Sequence, residues 1–278
     1  MKRTFPGECG APQGGCSSRW IALLLLCLLG ASSCFADDSL SVSGRISLRA
    51  TDAREDDSVK EDPSLTGRLT LDAIGSSWRL HSWLEGGWDG TVRRPAQDGS
   101  LFKRYNEVYQ SNTPFLEFKE LYLSHSSNEL DLRIGIQRFA WGRLDEYPPN
   151  DPLNPWDYTR FLAKPIEDRK IGVPSLSATF GKDSWSCDAV WVPFLVPYRF
   201  PLPNERWFGR TAASTIPPTS TLEITPREPD LPARTIANGN IGLRARQSGD
   251  IDWAISLYHG YDPRPLFKTT TLVISRKG

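Results

Sequence analysis

The chain has 278 residues and carries 33 basic and 33 acidic side chains, so its formal net charge at pH 7 is zero. This balance argues against a nucleic-acid-binding protein or a basic membrane-surface protein. Of the five cysteines, only Cys187 follows the first 36 residues, which argues against a disulfide framework or a cysteine-rich metal site. About 240 residues remain after that segment, enough for one sizeable domain.

The N-terminal segment has the pattern of a secretory signal peptide. Three basic residues precede a short apolar run at 20–30, and small residues then lead to Ala36. This order predicts a signal peptide over 1–36, and the run is too short to cross a bilayer as a helix. Lipoprotein processing at Cys34 is the alternative. We expect export, with a mature chain that begins at Asp37.

Residues 37–278 contain repeated segments in which apolar and polar side chains alternate, most clearly at 40–49. Successive side chains of a strand point to opposite faces, so each segment predicts a strand with one apolar and one polar face. The fourth segment is less regular, and its register is uncertain. Strands are predicted at 40–50, 65–74, 78–88, 114–125, 130–139, 171–180, 185–193, 236–247 and 251–261, with a tenth beginning near Thr270.

The connections between these segments alternate in length. Four short polar turns alternate with long segments at 51–64, 89–113, 140–170 and 194–235. Outer-membrane barrels have short periplasmic turns, long extracellular loops and aromatic girdles, and Trp78 and Trp88 end one apolar strand face. The sequence therefore predicts an all-β fold for 37–278, an antiparallel transmembrane up-and-down β-barrel with about ten visible strands.

We expect this barrel to be incomplete at the C-terminus. The tenth strand has only begun where the sequence stops, and outer-membrane barrels close because lipid cannot satisfy an open strand edge. A complete ten-stranded barrel is the alternative.

Arginines on the predicted polar strand faces are the first candidate functional residues. A water-filled lumen tolerates such charges, and charged side chains commonly set the selectivity of a channel. Ion pairing that only stiffens the wall is the alternative role. The pore-lining candidates on strands are Arg45, Arg49, Arg68, Arg79, Arg133, Arg244 and Arg246.

The third long connection, 140–170, is the densest polar segment. Its prolines shape the backbone, and charges of both signs cluster in it. We expect it to fold inward and line a constriction; an ordered surface loop held by internal ion pairs is the alternative. The constriction candidates are Arg143, Asp145, Glu146, Asp151, Asp157 and Arg160.

No residue pattern indicates catalysis. His81 and Ser82 are adjacent, but neighbouring strand residues face opposite sides and cannot form a nucleophile–base pair. The sequence has no Gly-x-Ser-x-Gly, His-Glu-x-x-His, phosphate-loop or Cys-x-x-Cys motif. We therefore expect a protein that is not an enzyme and has no cofactor, with an inert Cys187.

Two runs, RIGIQRFAWG at 133–142 and DPLNP at 151–155, resemble a group of uncharacterised porin-like outer-membrane proteins of Gram-negative bacteria. That group pairs a strand ending in Gly-x-Gln-x-x-x-Trp-Gly with a loop containing Asp-x-x-Asn-Pro. The resemblance implies an outer-membrane barrel with a channel or export role and brings no catalytic residues.

The partners expected are outer-membrane lipid, lipopolysaccharide and the barrel-assembly machinery, with no nucleic acid. Homo-oligomerisation is left open. A cytochrome partner is also open, although no Cys-x-x-Cys-His motif indicates one.

The function expected is passive diffusion of ions or small polar solutes through an outer-membrane channel. A scaffold or export component without an open pore, serving a polymer or a redox partner, is the first alternative. A secreted carbohydrate-binding β-sandwich is the second.

Overall fold

The computed structural model describes residues 39–49, 52–55, 58–61, 64–89, 114–141, 151–160, 165–201, 230–264 and 266. The chain divides into two compact units, Met1–Asp38 and Ser39–Gly278, and every described residue belongs to the second. The predicted signal peptide over 1–36 and the predicted strand near Thr270 therefore lie outside the described residues.

The described residues form mainly β-strands, which confirms the predicted all-β class. The main sheet has nine strands, and two short strands, β2 (Asp52–Glu55) and β3 (Ser58–Glu61), form a separate hairpin. This hairpin lies in a segment that was predicted as a loop. The strands of the main sheet are β1 (Ser39–Arg49), β4 (Ser64–Ile74), β5 (Trp78–Asp89), β6 (Phe115–Ser126), β7 (Leu130–Gln137), β8 (Val173–Lys182), β9 (Trp185–Val192), β10 (Asn240–Gln247) and β11 (Trp253–His259).

The main sheet is an antiparallel meander. Its strands lie side by side in the order β1-β4-β5-β6-β7-β8-β9-β10-β11, which confirms the predicted up-and-down order. Among the described strands, β1 and β11 each have a neighbour on one side only, so the sheet does not close into a barrel there. Helix is limited in these residues to one turn, Ile166–Arg169, and a 3-10 turn, Ile236–Asn238, which delays the start of β10.

Four tight turns lie along one end of the sheet, as the alternation of connection lengths predicts. They join β4 to β5, β6 to β7, β8 to β9 and β10 to β11. Backbone hydrogen bonds link neighbouring turns and hold this end together: Ser126 N–H donates to Ser77 O (2.8 Å), Gly181 N–H to Glu129 O (2.7 Å) and Ser248 N–H to Ser184 O (2.9 Å).

The irregular pattern of the fourth predicted strand has a structural cause. Trp83 on β5 is opposite Glu120 on β6, but the next residue, Leu84, is opposite Phe118, so Lys119 is an extra residue in β6. An extra residue of this kind makes a β-bulge, which shifts the alternation of side chains by one position. The bulge explains why a strict period of two fails along this segment.

A small apolar core forms where the long connections pack against the sheet. Trp141, Leu153, Ile171 and Val196 come from connecting segments and are buried with strand valines such as Val190. Gly242 of β10 makes room for them, because a Cβ there would lie 2.6 Å from the Trp141 ring and 3.0 Å from Leu153. The described parts of the connections before β8 and after β9 therefore lie on one face of the sheet.

Replacing Gly135 with alanine should destabilise the fold. Gly135 on β7 has a φ of +135°, and a Cβ there would overlap the carbonyl oxygen of Leu121 on β6. Backbone strain of this kind costs about 1–3 kcal/mol before the steric overlap is counted. We expect Gly135→Ala to lower the free energy of unfolding by at least about 2 kcal/mol, measured by urea unfolding in detergent with tryptophan fluorescence.

Gly181→Ala is the matched control, because no described atom lies within 4 Å of a Cβ at Gly181. Equal unfolding midpoints for the two variants would contradict the prediction.

Candidate functional site

The register of the strands divides the sheet into two chemically different faces. Side chains directly opposite each other on paired strands share a face. One such row runs through Leu132, Ala178, Ala189, Leu243 and Leu257 on five successive strands. We call the face with this row the apolar face. Its exposed large side chains include Leu40, Val42, Ile46, Leu48, Leu69, Leu123, Ile134, Leu176, Ile241, Ile255 and Leu257.

Tryptophans mark both ends of the apolar face. Trp78, Trp185 and Trp253 lie beside the tight turns, and Trp88 lies near the opposite end of β5. All four are 38–48% exposed, and the rings of Trp185 and Trp253 meet edge to face at 5.2 Å. The apolar face is thus bordered by side chains that combine an apolar ring with a polar N–H group.

The opposite face, which we call the polar face, carries three arginine–aspartate pairs. They are Arg79–Asp72 (2.6 Å), Arg133–Asp131 (2.5 Å) and Arg246–Asp188 (3.1 Å). Each aspartate also contacts a second polar group: His81 at 2.9 Å for Asp72, Ser126 at 3.1 Å for Asp131 and Thr179 at 2.9 Å for Asp188. The aspartates are therefore fixed from two sides.

A denser group of charges lies at the centre of the polar face. This central ionic cluster contains three cations and three carboxylates from separate parts of the chain. Its members are Arg68, Glu85, Glu117, Lys119, Asp168 and Arg199, with Arg68–Asp168 at 2.5 Å, Arg68–Glu85 at 3.6 Å, Lys119–Glu117 at 3.5 Å, Lys119–Glu85 at 3.9 Å and Arg199–Glu117 at 2.9 Å.

The central ionic cluster joins the connecting segments to the sheet. Asp168 belongs to the helical turn before β8, and Arg199 follows β9, whereas the other four members lie on β4, β5 and β6. Glu117, Lys119 and Arg199 are each about 1–2% exposed. Burying ions is costly unless each is paired, and every member of this cluster lies within 4 Å of a member of opposite charge. The β-bulge supplies Lys119 to this arrangement.

Trp83 separates two cations on the polar face. The guanidinium carbon of Arg68 lies 3.9 Å from the centre of its ring, and that of Arg138 lies 4.0 Å from it. Cations over an aromatic face are attracted to its π electrons. Arg138 also lies 3.4 Å from Glu120, which faces His81 at 3.4 Å. Trp83 therefore connects the central ionic cluster to a second charged row.

Asn154 holds the third long connection against the strands. Its amide group donates to Ile171 O (2.8 Å) and to Gln137 O (3.2 Å), and its side-chain oxygen accepts from Phe139 N–H (2.6 Å). Asn154 is 1% exposed, so its hydrogen bonds replace those that water would make. The two runs that carry the family resemblance, 133–142 and 151–155, therefore contact each other through this side chain.

The predicted loop residues have structural partners where they are described. Asp151 pairs with Lys170 at 2.5 Å, Asp157 accepts from the Thr159 hydroxyl at 2.5 Å, and Arg160 donates to the Ser64 hydroxyl at 3.0 Å. Arg143, Asp145 and Glu146 lie outside the described residues.

On the strands, Arg45, Arg68, Arg79, Arg133, Arg244 and Arg246 all occupy polar-face positions in the register. Arg49 does so by backbone position, and its side chain is not described. Arg45 and Arg68 both approach Asp168, at 3.6 and 2.5 Å. The arginines spread over the sheet, and these two converge on one carboxylate.

Sequence reasoning missed most of the central ionic cluster. Glu117 and Lys119 lie in the irregular strand, where the alternation of apolar and polar residues did not assign side chains to a face. Arg199 lies in a segment with no motif. Asp168 was one of many charged residues in the third long connection, and no pattern singled it out. Only the irregularity itself was a signal, because a charged residue that breaks a strand pattern is a candidate bulge position.

The adjacent serine and histidine lie on opposite faces of the sheet. Ser82 is opposite Leu71 on the apolar face, whereas His81 is opposite Asp72 on the polar face, so the two do not meet. Within the described ranges, no group of three or more histidine, cysteine, aspartate or glutamate residues could hold a metal ion. In the loop after β11, hydrogen bonding from Arg264 lowers the pKa of Asp262.

Comparisons with protein-family models, curated proteins and solved structures gave no match to this chain. A search of the described helices for a segment long and apolar enough to cross a membrane found none.

Glu117→Gln should loosen the connections from the sheet. The variant removes the carboxylate that pairs with both Arg199 and Lys119, and breaking a buried pair costs about 3–5 kcal/mol. We expect a lower thermal unfolding midpoint and faster proteolysis after β9. Glu129→Gln is the control, because the Glu129–Lys182 pair lies in an exposed turn. Exposed pairs contribute about 0–1 kcal/mol, so equal midpoints for both variants would refute the role assigned to Glu117.

Proposed function

We propose that the chain forms the wall of an outer-membrane β-barrel with a porin-like function, the passive diffusion of ions or small polar solutes. The observation that carries this proposal is the contrast between the two faces of one nine-stranded sheet. Large apolar side chains are exposed on one face of every strand of this sheet, and charged pairs lie on the other face.

Lipid is the solvent that suits the apolar face. Soluble proteins rarely leave large contiguous apolar patches exposed, and nine strands of such side chains form a patch far beyond the usual few hundred Å². Ile46, Ile255 and Leu257 are 63–83% exposed and lie on the two edge regions of the sheet. The tryptophans at both ends match the aromatic girdles at membrane interfaces.

Water suits the polar face. Half-exposed arginines cannot face lipid without a large cost, so a membrane-embedded sheet must turn them toward an aqueous lumen. Strand edges in lipid must also be paired, so the proposal requires further strands or another chain beside β1 and β11. The tight turns then lie on the periplasmic side and the long connections outside or folded inward.

Export by the predicted signal peptide and insertion by the barrel-assembly machinery complete this proposal. The membrane partners would be phospholipid and lipopolysaccharide.

A scaffold or export component without an open pore is the second candidate, and one observation favours it. The connections, the apolar core around Trp141 and the central ionic cluster occupy much of the polar face. The meander order gives no support to a β-sandwich, which needs two packed sheets.

Ile134→Arg tests whether the apolar face meets lipid. Ile134 lies within β7 and is 59% exposed. At the middle of a bilayer an arginine on the lipid face costs about 2–4 kcal/mol, whereas on a water-exposed face it costs little. We expect the variant to insert poorly into lipid vesicles, measured as loss of the heat-modifiable folded band in gel electrophoresis.

Ile236→Arg is the matched control, because Ile236 is 75% exposed in the 3-10 turn outside the sheet. Normal insertion of both variants would refute the assignment of the apolar face to lipid.

Liposome swelling separates a pore from a scaffold. The full-length protein, extracted from membranes and reconstituted, should admit small sugars and salts and exclude large dextrans. Folded, vesicle-inserted protein that admits no solute would refute the pore and leave the scaffold.

A further inference from the structure

The charges of the polar face differ in how far they reach into solvent. Six carboxylates on the strands of this face have described side chains, and all are between 2% and 25% exposed: Asp72, Glu85, Glu117, Glu120, Asp131 and Asp188. Four arginines are between 42% and 58% exposed: Arg45, Arg79, Arg133 and Arg246. Among the described side chains, the accessible charge of this face is therefore cationic, although the chain has equal numbers of acidic and basic residues.

The geometry of the pairs explains the difference. An arginine side chain is longer than an aspartate side chain, so the guanidinium extends past the carboxylate that anchors it. Arg79 and Arg133 each use their Nε and Nη2 protons on a single aspartate oxygen. Those aspartates do not use the Nη1 protons, and a guanidinium has five donors in all.

The aspartates are poor cation sites because protein groups already occupy them. Asp131 accepts from Ser126 and Arg133, and Asp188 accepts from Thr179 and Arg246. A cation that approached either carboxylate would meet a guanidinium first. Asp72 is held by Arg79 and His81, and the remaining carboxylates lie in the central ionic cluster or beside Arg138.

We infer that this face selects small anions over cations. The inference rests on the proposed pore and gives it a solute class. Arg45, Arg79, Arg133 and Arg246 lie on β1, β5, β7 and β10, so exposed guanidinium groups are distributed across the sheet. A solute in front of the sheet interacts most strongly with the charges nearest to it. Walls of low dielectric constant strengthen the electric field of those charges. Channels for anions use arginine and lysine in this way.

Ion selectivity in planar bilayers tests the inference, with potassium chloride as the probe salt. A tenfold salt gradient across the bilayer gives a reversal potential whose sign reports the favoured ion. We expect the full-length protein to prefer chloride over potassium by at least threefold. A pore that prefers potassium, or neither ion, would overturn the inference and leave the proposed pore intact. Folded, inserted protein without conductance would overturn both.

The triple variant Arg79→Gln, Arg133→Gln and Arg246→Gln should lose this preference and favour potassium, because it leaves three aspartates without their cations. The corresponding triple lysine variant keeps the positive charges and should retain preference for chloride. Arg264→Gln is the control, because Arg264 is 71% exposed but lies outside the strands, paired with Asp262. An unchanged preference in the glutamine variant, or an equal loss in the control, would overturn the assignment to these arginines.

Discussion

The period-two alternation of β-strands is the constraint on which the rest of this structure depends. Each strand must present alternate residues to opposite faces, and the antiparallel register brings like positions of neighbouring strands into one row. Because nine strands lie side by side in sequence order, their alternating side chains combine into one apolar face and one polar face. The two faces suit different solvents. A shift of one residue in any strand would exchange its faces, so the tight turns that fix the register are also what keeps the faces distinct.

The central ionic cluster shows where this alternation is broken and why that is tolerated. The bulge at Lys119 adds a cation beside Glu85 and Glu117, and Arg199 and Asp168 arrive from connecting segments. Pairing each charge with one of opposite sign offsets the cost of removing ions from water. Because each ion depends on partners from other segments, the cluster also fixes the connections onto the polar face. Connections held on the polar face in this way can either narrow a lumen or fill it. The pore and the scaffold are therefore the two candidate functions.

The strands were largely predictable because alternation is local. Leu130, Leu132 and Ile134 define the apolar side of β7 from sequence alone, and polar residues indicate the turns after β4, β6, β8 and β10. The β2–β3 hairpin, the bulge and the late start of β10 were not predicted. Short polar hairpins carry little apolar signal, and a bulge removes the period on which the prediction relies. The ion pairs between Glu117 and Arg199 join residues 82 positions apart, which no local pattern encodes.

The sequence by itself determined the all-β class, the order of the strands and the face that each regular strand presents, because these follow from neighbours along the chain. Only the tertiary structure decided which charges are buried and which are accessible. Equal numbers of acidic and basic residues predict no preference for either sign of ion. Burial makes the solvent-accessible charges unequal, because the shorter carboxylates lie beneath longer guanidinium groups or in the central ionic cluster. Depth within the fold, and not charge number, therefore gives the polar face its sign.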